Sequence, residues 1–98
     1  MVHVMVKVKY PPHILEEFLK FYLSGKAPKY PDYVKRVHQW VISGYEYKTI
    51  NIYELPEEKL HEGMKGIAKR FSAYAAFEGY KYKMVPLIEG SEALEMMK

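Results

Sequence analysis

The alternation of apolar and polar residues along the chain predicts four strands and two main helices. Valines occupy every second position of a first strand over 2–10, which is the period of a strand with one buried face. Apolar residues spaced by three and four then predict a helix that follows the prolines at 11–12 and stops at Gly25. The same spacing predicts a second helix that starts at Pro56.

The two middle strands are predicted to form a hairpin with a two-residue turn at Ser43-Gly44. In this register Trp40 faces Tyr47, and residues directly opposite each other share a face of the sheet. The more apolar set, which includes Ile50 and Ile52, is expected to lie under the helices. The other set is expected on the open face and consists of Arg36, His38, Trp40, Tyr47, Thr49, Asn51 and Tyr53.

A last strand over 80–87 carries Pro86 and is therefore predicted at the edge of the sheet. A short C-terminal helix is predicted over about 91–98, with Ser91 as its N-cap. The order strand, helix, strand, strand, helix, strand predicts an α+β protein with a four-stranded antiparallel sheet and both helices on one face. Residues 1–98 are expected to form a single domain.

Composition narrows the class of protein. The chain has no cysteine, which excludes disulfides, cysteine metal ligands and a cysteine nucleophile. No apolar run approaches the roughly 18 residues of a membrane span, and no secretory signal pattern is present, so we predict a cytoplasmic protein without a membrane partner. Abundant lysine and glutamate with few amides are typical of thermophiles. Lysine far outnumbers arginine, the usual reader of bases and phosphates, which disfavours nucleic acid as a partner.

The predicted open face carries aromatic and histidine side chains where a solvated sheet normally carries lysine, glutamate and threonine. We expect such a face to be covered by a second copy of the chain, by a small hydrophobic or aromatic molecule in a cavity, or by nucleic acid. Arg36 or His3 would meet an anionic group of a ligand. The candidate pocket residues are His3, Arg36, His38, Trp40, Tyr47, Asn51 and Tyr53.

The sequence predicts no cofactor, no metal site and no assigned catalytic residue. His3 and His38 flank the third strand without a third ligand at a recognisable spacing, which favours a structural pair over a metal site. A phosphate-binding glycine loop, a nucleophile elbow and an HExxH sequence are all missing from the chain. The segment Gly44-Tyr45-Glu46-Tyr47 is similar to part of the RNA-recognition motif, but Glu46 stands where that motif has glycine or alanine.

Several segments together resemble one known superfamily. They are Pro11-Pro12, Gly25-Lys26-Ala27-Pro28, Trp40, Val85-Pro86-Leu87 and the acidic tail that follows. On these residues the chain resembles the dimeric α/β-barrel superfamily, and more closely a set of small uncharacterised bacterial and archaeal proteins of unknown function. The resemblance implies a ferredoxin-like βαββαβ fold and a homodimer through the open sheet face. It implies little about chemistry, because branches of the superfamily include monooxygenases, haem-degrading enzymes and isomerases.

The sequence therefore predicts a homodimer that binds or transforms a small hydrophobic or aromatic molecule in a barrel cavity. One alternative is a structural or regulatory homodimer that has no ligand. Another is an RNA-binding module, which the scarcity of arginine disfavours.

Overall fold

A computed structural model describes residues 1–97 of the chain. It is an α+β structure in which a four-stranded antiparallel sheet is accompanied by three helices. Position 98, the last residue of the predicted C-terminal helix and domain, lies outside the described residues. The elements in chain order are β1 (Val2–Tyr10), α1 (Leu15–Ser24), β2 (Lys35–Ile42), β3 (Tyr47–Leu55), α2 (Leu60–Ser72), β4 (Lys81–Leu87) and α3 (Gly90–Met96).

The sheet has the strand order β2-β3-β1-β4, so β1 and β3 are its central strands. Val4, Val6 and Val8 of β1 are at most 3% exposed, as the alternation of the sequence predicts. β4 lies at one edge, which agrees with Pro86, because proline cannot donate a hydrogen bond to a neighbouring strand. β2 lies at the other edge, and all of its residues are exposed.

α1 and α2 pack on the same face of the sheet. Ile14, just before α1, joins Ile67 and Phe71 of α2 and the valines of β1 in one hydrophobic core. α1 ends at Gly25 with a φ of 72°, a left-handed conformation that glycine adopts without steric cost, and this confirms the predicted stop. Neither α1 nor α3 has a fully buried residue, but Leu15 and Phe18 of α1 pack against the core, whereas no residue of α3 belongs to it.

The hairpin between β2 and β3 does not have the predicted register. Its loop contains the four residues 43–46 instead of two, and Trp40 pairs with Ile50 rather than with Tyr47. A two-residue hairpin turn requires a positive φ, which Gly44 does not adopt. The pairing is displaced by three positions, and an odd displacement moves the side chains of one strand to the opposite face.

A β-bulge in β2 changes which face of the sheet the residues at the start of this strand point to. The pairing with β3 shifts between Arg36 and His38, which leaves Val37 without a partner. Arg36 therefore lies opposite Tyr53 and shares the helix-covered face with Gln39. Without the bulge, Arg36 would point to the same side as His38.

These two irregularities place the residues of β3 and Arg36 on the faces opposite to those predicted, whereas His38 and Trp40 lie on the open face as predicted. Asn51 and Tyr53 lie under the helices, where they are 3% and 1% exposed. Ile50 and Ile52 pair with Lys7 and Met5 of β1 and so face the open side. The prediction that the isoleucines pack under the helices is wrong, because it rested on the two-residue turn.

Two glycines inside α2 allow the helix to approach its neighbours closely. Glycine in a helix costs about 1 kcal/mol relative to alanine, so a structural reason is expected. A Cβ at Gly63 would collide with the Leu55 side chain, and a Cβ at Gly66 would lie 2.5 Å from Cδ of Pro31. Because these two glycines have no side chain, α2 can pack closely against Leu55 of β3 and against Pro31 in the loop before β2.

Replacing Gly63 by alanine should destabilise the fold. The added methyl group overpacks the Leu55 side chain, and overpacking typically costs about 1–3 kcal/mol. Gly90→Ala is the matched control, because a Cβ there meets no atom within 4 Å and should be neutral or stabilising. Urea denaturation followed by circular dichroism measures both. Equal stability of Gly63→Ala and the wild type would contradict the close packing.

Candidate functional site

A cavity of about 60 Å³ lies between the helices and the helix-covered face of the sheet. β1, β2, β3, α1, α2 and the segments that follow the two helices all contribute to its wall. The aromatic wall residues are Phe18, Tyr22, Tyr30, Tyr53, Phe71, Tyr74 and Tyr80. The polar ones are Arg36, Gln39, Thr49, Asn51 and Arg70.

Both arginines of the chain line this one cavity. Burial lowers the pKa of the Arg36 guanidinium, but its interaction with the Tyr22 hydroxyl and with neighbouring phenols outweighs burial and raises the pKa. Nη1 of Arg70 donates to the carbonyl oxygen of Pro28 at 3.2 Å, and its Cζ lies 5.1 Å from the centre of the Tyr30 ring. No carboxylate of residues 1–97 forms an ion pair with either guanidinium, so both positive charges lack a counter-charge there.

The sheet contributes hydrogen-bonding groups to the cavity wall. Asn51 is buried, and its Oδ1 accepts a hydrogen bond from Nε2 of Gln39 at 3.0 Å. The hydroxyl groups of Tyr30 and Tyr53 are 3.2 Å apart and form a hydrogen bond in which either hydroxyl can be the donor. Polar groups under helices are costly unless they are hydrogen-bonded, and these two pairs reduce that cost.

Burial raises the pKa of three phenols around the cavity. For Tyr53, burial is joined by the hydrogen bond with Tyr30. For Tyr80, burial is joined by neighbouring phenols, and for Tyr74 burial outweighs the positive charge of Arg70, which lowers the pKa. A raised tyrosine pKa keeps the hydroxyl protonated at neutral pH, so these groups are able to donate a hydrogen bond and are poor bases.

The hydroxyl group of Tyr74 is buried and has no hydrogen-bond partner among residues 1–97. The neighbouring Tyr80 differs, because its hydroxyl donates to the Phe71 carbonyl oxygen at 2.9 Å. An unpartnered buried polar group costs about 1–3 kcal/mol, and such a group calls for an explanation in a folded protein. The wall therefore combines an unused hydrogen-bonding group with two uncompensated positive charges, which suits an anionic ligand.

The cavity by itself is too small for an aromatic ring, since a benzene site in a protein interior has a volume of roughly 150 Å³. A groove of about 310 Å³ adjoins it on the side of α1 and β2. The cavity and the groove share Phe18, Tyr22, Gln39 and Thr49 in their walls. Together they form one cleft, with a small charged inner part and a larger, mostly apolar outer part.

The structure divides the seven predicted pocket residues between the two faces of the sheet. Three of them line the cavity, namely Arg36, Asn51 and Tyr53, and Tyr47 lines the groove. They lie on the helix-covered face, although the sequence analysis expected them on the open one. The displaced hairpin register accounts for Tyr47, Asn51 and Tyr53, and the bulge accounts for Arg36.

The other three predicted residues lie on the open face and take no part in the cleft. The rings of His38 and Trp40 stack with their centres 4.9 Å apart. Nε2 of His3 lies 3.3 Å from Oε2 of Glu54. The predicted pairing of His3 with His38 is therefore replaced by two separate contacts.

The sequence did not predict the residues that α2 and the segment after it contribute to the cavity wall. Arg70, near the end of α2, was not among the candidates, and neither were Tyr74 and Tyr80, because the region after the second helix has no regular period. The spacing of Arg70 and Tyr74 could have indicated this part of the site, because residues four positions apart lie on the same side of a helix. The only two arginines of a lysine-rich chain were a second indication.

Among residues 1–97, no group of three histidine, aspartate or glutamate side chains is arranged to hold a metal ion. Within the same range, no helix has both the length and the apolar character needed to cross a membrane.

Comparisons of the chain with protein-family models, with curated proteins and with solved structures found no match. The resemblance to the dimeric α/β-barrel superfamily thus stays a prediction from the residues.

The unpartnered hydroxyl of Tyr74 predicts an unusual response to mutation. Tyr74→Phe removes a buried group that has no hydrogen bond, and we expect the free energy of unfolding to rise by about 1 kcal/mol. Tyr80→Phe is the matched control, because it removes a hydrogen bond to Phe71 and should lower that free energy by a similar amount. Urea denaturation of both variants measures the difference. Equal losses in the two variants would show that the Tyr74 hydroxyl is satisfied in solution.

Proposed function

We propose that the cleft binds a small organic anion. A carboxylate or phosphate group of the ligand lies in the cavity near Arg36 and Arg70, and an aromatic or other apolar body lies in the adjoining groove. One observation carries this proposal: both arginines of the chain face the same cavity without a carboxylate partner among residues 1–97. Two guanidinium groups without a carboxylate partner are available to pair with a bound anion.

The chemistry of the wall supports this class of ligand. A guanidinium group is planar and presents parallel N–H donors that match the two oxygens of a carboxylate or phosphate. The protonated hydroxyl of Tyr74 adds a neutral donor beside these charges. Aromatic rings line the groove and offer flat apolar surface to the rest of the ligand, namely those of Tyr10, Phe18, Tyr22 and Tyr47.

The same groups would support a reaction that develops negative charge on a ligand oxygen. Fixed positive charges and donors stabilise such charge because they do not have to reorganise during the reaction. The phenols with raised pKa are poor bases at neutral pH, so proton removal is not their role. Binding is accordingly the activity that the residues of the cleft support best.

We also propose that the chain has the ferredoxin-like arrangement of the dimeric α/β-barrel superfamily and forms a homodimer through its open sheet face. The order of strands and helices, the strand order of the sheet and the packing of α1 and α2 on one face support this arrangement. Trp40 is 52% exposed on the open face, and Ile42 and Leu87 on the same face are also exposed. An exposed apolar sheet face of this kind is typical of an interface. The cytoplasmic location and the thermophilic, archaeal origin stay predictions from composition and resemblance.

Isothermal titration calorimetry with three probes tests the cleft. We expect 4-hydroxyphenylacetate and phenyl phosphate to bind more tightly than the neutral 4-methylphenol. Arg70→Gln and Arg36→Gln should each weaken the binding of the two anions by roughly tenfold or more, because a hydrogen bond to a charged group contributes about 1.5–3 kcal/mol. Binding of 4-methylphenol should change little in either variant.

Lys69→Gln is the matched control for charge, since it removes one exposed positive charge next to Arg70. It should leave all three affinities unchanged. Equal affinities for the anions and the neutral probe, or variants without effect, would contradict an anion site. No binding of any aromatic probe would favour the alternative of a homodimer without a ligand.

The homodimer predicts a mass of two chains by light scattering after gel filtration. Trp40→Glu should give the mass of one chain, because it introduces a charge into the proposed interface. Tyr45→Glu is the control, since Tyr45 is fully exposed in the hairpin loop and lies outside the sheet. A wild-type monomer at high micromolar concentration would refute the homodimer.

A further inference from the structure

One corner of the open sheet face is made of lysines. Lys9 lies opposite Lys48 of β3 on one side and opposite Lys81 of β4 on the other, and Lys7 lies opposite Lys83. We call these five residues the lysine corner. Three strands contribute to it, so it exists only when the sheet has formed.

This arrangement is unfavourable in an isolated chain. Like charges directly opposite each other on neighbouring strands destabilise a sheet, and the lysine corner contains three such pairs. Among residues 1–97, one acidic group forms an ion pair with the corner: Oε2 of Glu46 lies 3.6 Å from Nζ of Lys9. Four of its five positive charges are left without an ion pair within this range, and an anionic partner would relieve their repulsion.

The chain also contains a surface of the opposite charge. The C-terminal segment, residues 88–97, carries Glu89 and Glu92 and includes α3, none of whose residues is buried. Its apolar residues are also exposed, with Leu94 at 63% and Met97 at 81%. Exposed apolar residues in an acidic segment need a partner for the same reason that the open face does.

The C-terminal segment starts far from the lysine corner of its own chain. It leaves β4 at Leu87, which lies opposite His3, whereas Lys81 lies opposite Lys9 at the other end of the two strands. Six residues of extended strand separate these ends by about 20 Å. A second copy whose strands run in the opposite direction would bring its own end of β4 over this corner.

A two-fold axis that crosses the strands in the plane of the interface produces this arrangement. The row of the sheet that contains Glu54 and Leu87 then lies over the row that contains Lys48 and Lys81 of the other copy. Glu54 and the acidic C-terminal segment both approach lysines, and the symmetry repeats each contact. An axis parallel to the strands would instead keep the lysine corner and the C-terminal segment apart.

From this complementarity we propose that a second copy of the chain covers the open sheet face, with its acidic C-terminal segment against the lysine corner. The inference rests on the homodimer proposed above and adds the direction of the two-fold axis and the contacts that select it. It also explains why the chain retains both the repulsion within the lysine corner and the exposed α3.

Charge reversal on both sides of the contact tests the proposal. Lys81→Glu with Lys83→Glu should raise the dissociation constant of the dimer by roughly tenfold or more, because acidic groups then oppose acidic groups. Glu89→Lys with Glu92→Lys should have the same effect. A chain with all four substitutions should recover most of the wild-type affinity, since the charges are exchanged and not lost. Analytical ultracentrifugation measures each constant, and added salt should weaken the wild-type dimer.

Lys26→Glu with Glu78→Lys is the matched control, because both residues are exposed and lie outside the sheet. It should leave the dimer unchanged. The lysine variant should retain the thermal stability of its fold, since the substitutions relieve repulsion on an edge strand.

The possible failures are distinguishable. A wild-type monomer would overturn the homodimer and this inference with it. A wild-type dimer that tolerates both charge reversals would overturn only the contact between the C-terminal segment and the lysine corner. A third outcome would assign the corner to nucleic acid: tight binding of fluorescein-labelled oligouridylate at physiological salt, lost in the lysine variant while the dimer persists.

Discussion

The antiparallel pairing of β1 with β3 is the constraint on which the other features of this structure depend. Each inward-facing valine of β1 lies directly opposite a residue of β3, with Val4 opposite Tyr53 and Val6 opposite Asn51. Burying the valines under α1 and α2 therefore also buries the phenol and the amide. The polar wall of the cleft follows from this pairing, as does the outward position of Ile50 and Ile52.

Much of the architecture could be predicted from the sequence, and the reason is periodicity. The valine alternation, the helical spacing of apolar residues, Gly25 and Pro86 each act locally, and the structure agrees with them. The composition of the two sheet faces could not be predicted, because it depends on the conformation of Gly44 and on a bulge at Val37. Neither irregularity has a repeating pattern, and a single odd displacement exchanges the faces. The assumption that apolar residues lie under the helices then supported the wrong register, since this chain buries Asn51 and Tyr53 instead.

The changed position of the β3 residues separates the two proposed functions, which the sequence had predicted on one surface. The cleft, with its two arginines, lies between the helices and the sheet, whereas Trp40 and the lysine corner lie on the opposite side. A bound anion and a second copy of the chain would not compete for the same residues. The sheet is the only layer between them, so Asn51 on one side and Ile50 and Ile52 on the other are neighbours along one strand. Polar residues under the helices and apolar residues on the open side both depart from the usual pattern, and such departures are expected at functional sites.

The position of β2 at the edge of the sheet has a consequence for the motion of the cleft. β2 pairs only with β3, and none of its residues is buried, although Arg36 and Gln39 belong to the cavity wall. Separating this strand from β3 exposes little surface that is not already in contact with water. Its opening free energy is consequently a fraction of that for global unfolding, and its amides should exchange hydrogen faster than those of β1. Arg36 and Gln39 thus belong to a strand that can separate at low cost, and such a local fluctuation would open that side of the cleft while the valine core stays intact.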